Sequence, residues 1–337
     1  METPDTKKLK FVNTECSPSY LFNNLSETND KIYYIHNSEI QPRVIVIDKK
    51  LFSNEDNLKK LPEFITKLNG SETLQYSCIK KVEVNDKQLI AVGLLGGFKI
   101  WSSDGSKLLF QATNSNLINN KTYSVFSITE RNSISLNNNT YKFNSVVFGD
   151  SHGLITQCKL NETFSAVPLY RHKKDLTVTA LTSNLESGVL VSGYDNGQII
   201  ILDGENEKTI TELCILDNEY NLPVVSLASI NSQFISSYLN GELRIFSYLT
   251  LQIQIIFQAH LKSINSLSVY SNYLISSGDD SIVNVFKLEN EKFELVKNIA
   301  IPDKTPVGAI ITNIENKPTL ISCHFDNPVL AVLDKVI

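Results

Sequence analysis

The sharpest alternation of apolar and polar positions lies in residues 259–288. Two short β-branched runs, 273–276 and 282–288, flank the tight turn Gly278-Asp279-Asp280-Ser281, which is the signature of an antiparallel hairpin. A third alternating run, 264–269, stands in front of them behind Ala259-His260. The same run–turn–run pattern returns along the chain, with turns at Gly96-Gly97, His152-Gly153, Asn196-Gly197, Asn240-Gly241, Asp280-Ser281 and Asp326-Asn327. Counting positions 96, 153, 197, 241, 281 and 327 gives steps of 57, 44, 44, 40 and 46 residues. Gly and Asn recur there because the turn needs positive φ. A seventh hairpin is expected where 31–36 and 43–48 alternate around a turn containing Pro42. The predicted hairpins therefore span 31–48, 89–101, 146–158, 190–202, 234–246, 274–288 and 320–333.

Three short strands with a His at the entry and an Asp in the second turn resemble one blade of a WD-repeat propeller. That family's pattern is Gly-His, a spacer, then Trp-Asp; Ala259-His260 and Phe286-Lys287 stand in those places. The period near 40–45 residues implies an all-β chain, a single seven-bladed WD40-type β-propeller over residues 1–337. The chain stops just after the third strand of its last hairpin unit, and Lys8-Leu9-Lys10-Phe11-Val12 is a strand without a neighbouring partner. That strand is expected to complete the last blade and close the ring, removing a sheet edge. Two stretches, 50–76 with a weak helical pattern and 114–141 with an Asn/Ser-rich turn over 132–140, are expected to be insertions forming loops.

Composition narrows the function. A 42% hydrophobic fraction supports a large core, and a net charge of −5 argues against nucleic acid or an anionic membrane as partner. The first residues lack the apolar core of a signal peptide, and no run nears the ~18 apolar residues of a membrane span, so a cytoplasmic protein, peripheral to membranes at most, is expected. The five cysteines, Cys16, Cys78, Cys158, Cys214 and Cys323, contain no Cys-x-x-Cys pair and are read as packed thiols rather than metal ligands or disulfides. Gly93-Leu94-Leu95-Gly96-Gly97 lies inside a hairpin and precedes no helix, so it lacks the context of a phosphate loop. Asp150, Asp195, Asp279 and Asp280 are explained as turn formers. No catalytic constellation, metal site or cofactor is expected.

In WD blades a His before the first strand, a Ser/Thr, an Asp in the turn and a Trp on the third strand brace one another, because buried polar groups must be paired. His260, Asp280 and Phe286 hold the matching places, with Gly278 or Ser277 near the Ser/Thr place. His172 is a second match, with Asn196 and Leu202 after it, and Trp101 sits where the family's Trp does and is expected in the core. An interaction face is sought in the positive cluster Arg171, Lys173, Lys174, joined by Tyr194 and Tyr238, each placed just before a turn and expected to be exposed.

The order of features resembles the WD repeat-containing protein 54 family: Asn23-Asn24-Leu25-Ser26, Gly97-Phe98-Lys99-Ile100 followed by Ser103-Asp104-Gly105, Asn240-Gly241-Glu242-Leu243, and residues 258–288. It extends to His324-Phe325-Asp326, and Phe286 departs from the expected Trp. The resemblance implies a non-enzymatic protein-interaction adaptor, monomeric within a larger complex and linked to receptor signalling and vesicle-proximal assemblies. An Asn-, Lys- and Ile-rich composition suggests an AT-rich genome, such as a protist's, where WD propellers are also common parts of cilia; the alternative expectation is a structural subunit of a large assembly such as a ciliary axoneme or ciliary transport complex.

Overall fold

Left-handed backbone marks the predicted turns: Gly96, Gly153, Gly197 and Gly241 have φ of 91°, 74°, 83° and 84°, and Ser281 and Asp326 reach 64° and 49°. The structure is a computed structural model that describes residues 9–337 apart from 15, 39–40, 59–64, 70–74, 85–86, 114–123, 132–133, 137–138, 142–144, 160–164, 173, 185–187, 207–208 and 290–291. Between those turns run β1 (Lys10–Asn13), β2 (Ser26–Glu27), β3 (Lys31–His36), β4 (Arg43–Asp48) and β5 (Ile65–Asn69). Next come β6 (Tyr76–Val84), β7 (Lys87–Leu94), β8 (Gly97–Ser102), β9 (Leu108–Thr113) and β10 (Val125–Arg131). A small hairpin, β11 (Ile134–Leu136) with β12 (Asn139–Tyr141), precedes β13 (Ser145–Asp150), β14 (Leu154–Lys159) and β15 (Ser165–Arg171). The series continues with β16 (Val178–Ser183), β17 (Leu190–Tyr194), β18 (Ile199–Asn206), β19 (Thr209–Leu216), β20 (Val224–Ile230), β21 (Gln233–Tyr238), β22 (Glu242–Ser247) and β23 (Ile253–Gln258). It ends with β24 (Ile264–Tyr270), β25 (Tyr273–Gly278), β26 (Ile282–Glu289), β27 (Lys292–Ala300), β28 (Pro306–Ile314), β29 (Lys317–His324) and β30 (Asn327–Asp334).

These strands build seven four-stranded antiparallel sheets and the separate β11–β12 pair. The chain divides into two compact units, one of Met1–Gln75, Asn240–Glu242 and Gln258–Ile337, the other of Tyr76–Leu239 and Leu243–Phe257. The first unit holds the sheets β2-β3-β4-β5, β24-β25-β26-β27 and β1-β30-β29-β28. Its apolar side chains gather between sheets: Ile32, Tyr34, Ile45 and Ile47 pack with Val307, Ile310 and Ile321, while Ile275, Val283 and Val285 pack with Ala309, Ile311 and Leu320. The second unit holds β6-β7-β8-β9, β10-β13-β14-β15, β16-β17-β18-β19 and most of β20-β21-β22-β23. There too the cores are interfacial, as where Ala180, Val191 and Ile201 meet Val224, Leu227 and Phe234. Strands covered on both faces read as continuous apolar runs. Successive sheets approach so closely that a Cβ on Gly149 or Gly193 would stand 2.4 or 2.5 Å from the Cγ1 of Val178 or Val224, and glycine is required at both.

The N-terminal strand does complete the C-terminal sheet. β1 runs antiparallel to β30 with Lys10 opposite Val332 and Asn13 opposite Val329, and the Thr14 N–H extends the ladder to the Pro328 carbonyl at 2.6 Å. The stretch 50–76 is not simply an inserted loop. It contains a 3-10 turn (Lys49–Phe52), a single helical turn (Glu55–Leu58) and then β5, the fourth strand of its sheet. The helical pattern expected across 58–68 thus gives way to strand from Ile65, because pairing with β4 outweighs a weak local preference; residues 59–64 lie outside the described set. In 114–141, β10 is an integral strand and β11–β12 forms a separate two-stranded pair, while 114–123 lie outside the described residues.

Candidate interaction site

The last residue of the second strand in each of four sheets is Tyr194, Tyr238, Gly278 and His324. What fills this place decides how the sheet is braced. In the sheet of β24–β27 it is Gly278, and His260 takes the space: a Cβ on Gly278 would stand 2.8 Å from His260 Nδ1. His260 is buried, with Nδ1 2.9 Å from Asp280 Oδ1 and Nε2 2.8 Å from Ser276 Oγ. A neutral ring with its proton on Nδ1 fits both contacts: it donates to the carboxylate and accepts from the serine. Asp280 also accepts the N–H groups of Leu261 and Ile282. Burial pushes its carboxyl up, and the His260 and backbone bonds outweigh that and hold it below the usual carboxylate range.

The serine of this set is therefore Ser276, not Ser277 or Gly278, and the third-strand contact comes from Asn284, whose Nδ2 is 3.4 Å from His260 Nε2. Phe286, two residues on, is simply buried in the core. In the sheet of β16–β19, His172 is also buried, but its Nε2 pairs with Gln198 Oε1 at 3.0 Å rather than with Asn196, and its Nδ1 accepts the Lys174 N–H. Leu202, at the Trp place of that sheet, is buried core. Trp101, expected in the core, is only half-buried at the end of β8.

Tyr194 and Tyr238 overturn the expectation of exposure: their side chains are 0% and 1% exposed. Both fill the place that Gly278 leaves to His260. The His172 ring lies 4.7 Å from the Tyr194 ring, and the Arg244 guanidinium sits 4.8 Å over Tyr238 while donating to Asn218 Oδ1. They brace the sheets from within and offer nothing to a partner. Arg171 is exposed and paired with Asp175 at 2.9 Å, Lys174 is exposed, and Lys173 lies outside the described residues.

A different set of side chains forms an exposed patch in the first unit. Tyr20, Phe22 and Phe325 are 44%, 39% and 46% exposed, and the Tyr20 ring contacts both of the others. The Tyr20 ring stands edge-on to Phe325, centroids 5.4 Å apart, and 6.3 Å from Phe22. The Tyr20 hydroxyl donates to Asp279, 3.1 Å from Oδ2, and Asn265 Nδ2 donates to Asp279 Oδ1 at 2.7 Å. Burial and the Asp279 charge push the Tyr20 hydroxyl up to about 12, so it stays protonated and donates. The segment carrying Tyr20 and Phe22 is held by backbone bonds: Ser19 N–H to Ile35, Asn23 N–H to Asn265 and Asn24 N–H to Val307. Asn24 locks it further, its side chain bonding the Ser19 and Ile35 carbonyls and the Ile35 N–H. Phe325 is fixed on the β29–β30 turn by its N–H to the Thr305 carbonyl. None of these residues was singled out in the sequence as a binding residue; the one available signal was a bare aromatic, Phe325, immediately before a predicted turn.

Among the described residues no group of three or more His, Cys, Asp or Glu could hold a metal ion. No helix of the described residues is long and apolar enough to cross a membrane.

No protein-family model matches the sequence. No curated protein matches it either. Solved structures do. A chain of the crystal structure of a mitotic checkpoint complex is similar over 99% of this chain and 93% of its own, at 13% identity and a TM-score of 0.71. The crystal structure of Chaetomium thermophilum Raptor is similar over 98% of this chain at 13% identity and a TM-score of 0.71, and this chain spans 29% of that one. Such neighbours are WD40 proteins, and the fold is the all-β, seven-bladed WD40-type propeller. With 1551 chains matching in structure, the likeness identifies a fold and leaves the function to the site.

Proposed function

We propose that the chain is a non-enzymatic scaffold that docks protein partners, a cytosolic adaptor of the kind implied by its resemblance to the WD repeat-containing protein 54 family. The observation that carries this reading is the exposed contact of Tyr20, Phe22 and Phe325. A single exposed apolar side chain is ordinary. Three aromatic rings half in water, already ordered against one another and anchored to a fixed backbone, have lost most of the entropy that binding would cost, as interaction hot spots do. The fold agrees, since WD40 propellers are typically protein-interaction scaffolds. In the second unit, exposed Arg171 and Lys174 are proposed as charged contacts for an acidic partner, because an exposed ion pair such as Arg171–Asp175 costs little to exchange.

The test places a photo-crosslinking amino acid at Phe325, and separately at Leu249, an exposed turn residue outside the patch. Irradiation in cells should attach one recurring protein at 325 and not at 249. Capture of no protein at either position, with full-length chain recovered, would overturn the reading.

A further inference from the structure

Asp279 adjoins the aromatic rings through the Tyr20 hydroxyl, and among the described residues its carboxylate is compensated by neutral donors. Its carboxylate receives the Tyr20 hydroxyl and the Asn265 amide, and among the described residues no cationic side chain pairs with it. The carboxylate is half-buried, so its charge is less screened than that of a fully exposed aspartate. Asp326, exposed, follows Phe325 on the β29–β30 turn, its N–H reaching the carbonyl of Pro18, two residues before Tyr20. Lys304 is turned to another ring, 5.4 Å over Phe11, and exposed Lys262, next to the Ser263 whose carbonyl takes the Asp279 N–H, forms no ion pair with Asp279 among the described residues. The patch thus combines aromatic faces with a carboxylate that no cation pairs with among the described residues.

We propose that this patch takes a cationic side chain, an arginine or lysine carried on a short exposed peptide of a partner protein, stacked on Tyr20 or Phe325 and paired with Asp279. The proposal rests on the scaffold reading above and adds the chemistry of what it holds. An aromatic face attracts a cation through its quadrupole, and the attraction grows when the pair is partly desolvated. Arginine fits best, because its planar guanidinium stacks on a ring while its donors reach carboxylate oxygens. The apolar flank offered by Phe22 suits an aliphatic or aromatic residue next to the cation. An acidic peptide would meet Asp279 and Asp326 as like charges.

The test uses the full chain and a random heptapeptide library displayed on phage, followed by calorimetry of the selected peptides. The expected result is enrichment of peptides with Arg or Lys beside an apolar residue. Their binding should weaken at least tenfold in D279N and in F325A, and severalfold between 50 and 500 mM salt. Y20F keeps the ring and frees Asp279 of a hydrogen bond, so it should bind at least as tightly as the natural chain. Equal melting temperatures of the variants serve as the folding control; F22S replaces F325A should the latter unfold. Selected peptides without a cation, peptides indifferent to D279N, or no selected peptide at all would each overturn the proposal. A recurring protein cross-linked at 325 by an acidic or purely apolar segment would overturn it while leaving the scaffold reading intact.

Discussion

His260 Nδ1 lies 2.9 Å from Asp280 Oδ1, and the same ring reaches Ser276 Oγ with its other nitrogen, tying the entry loop, the second strand and the turn of one sheet together. H260A should strand the serine hydroxyl and the half-buried carboxylate at once, a cost of about 2–4 kcal/mol. Because the two side chains act as a pair, H260A and D280N combined should cost clearly less than the sum of the singles in urea unfolding. Additivity within about 0.5 kcal/mol would show that they are not coupled. The aspartate also gives the pair a pH signature. Its folded carboxyl titrates below its unfolded value, so its contribution is present above roughly pH 4 and is lost as pH falls through the folded value. D280N should flatten the acid limb of stability there.

The hairpins were legible because turn chemistry is local: Gly153, Gly197, Gly241 and Ser281, at steps of 44, 44 and 40 residues, carry positive φ, and Asp326 carries it in the last turn. The closing strand was legible from an unpaired run at one end and a missing partner at the other. Tyr194 and Tyr238 misled because every residue of β17 and β21 is buried. In a sheet covered on both faces the two-residue alternation no longer separates inside from outside. A register shift opposite the strand end, between Val178 and Ala180 and again between Val224 and Ser226, further breaks the pattern. The aromatic patch was illegible for another reason. Tyr20 and Phe325 are 305 positions apart, and only the pairing of the N-terminal segment with the C-terminal sheet brings them into contact.

The pairing of β1 with β30 makes Lys10–Asn13 structural. Removing residues 1–13 would expose the β30 edge and the buried Val12 site, leaving the ladder from Lys10–Val332 to Asn13–Val329 unmade. The melting temperature should fall by roughly 5–10 °C. A synthetic peptide of residues 1–13 added in excess should recover part of the loss by mass action. An unchanged melting point for the truncated chain would rule out a structural role.

The thiols divide sharply by position. Cys78, Cys158 and Cys323 are buried, and burial pushes the first two thiols up to about 12 and the third higher still, so almost no thiolate forms near neutrality. Cys16 is buried as well, and Cys214, on β19, is partly exposed. A disulfide reagent at pH 8 should therefore titrate one thiol in the native chain and five after unfolding. C214S should leave the native chain unreactive. Rapid modification of a second cysteine would mean that a sheet interface opens.

His324 is the buried counterpart of Tyr194 and Tyr238, and it ties stability to mild acid. Its Nδ1 donates to the Val329 carbonyl at 2.9 Å, while Nε2 is buried and has no partner among the described residues. Burial, with Lys304 adding a smaller push, lowers the ring to about 4 although the Val329 bond opposes the shift. Unfolded, the ring titrates near 6.5. Between those values the unfolded chain binds a proton that the folded chain refuses, so stability rises with pH across this window. The contribution is complete above roughly pH 6.5 and is withdrawn as pH falls toward 4, a change of about 3 kcal/mol in all. H324N can still donate from its amide to Val329 but cannot titrate. Urea midpoints measured from pH 7 to pH 4.5 should fall steeply for the natural chain and less steeply, by about one proton's slope, for H324N. Parallel curves would show that the ring titrates alike in the folded and unfolded chain, and would overturn the lowered value.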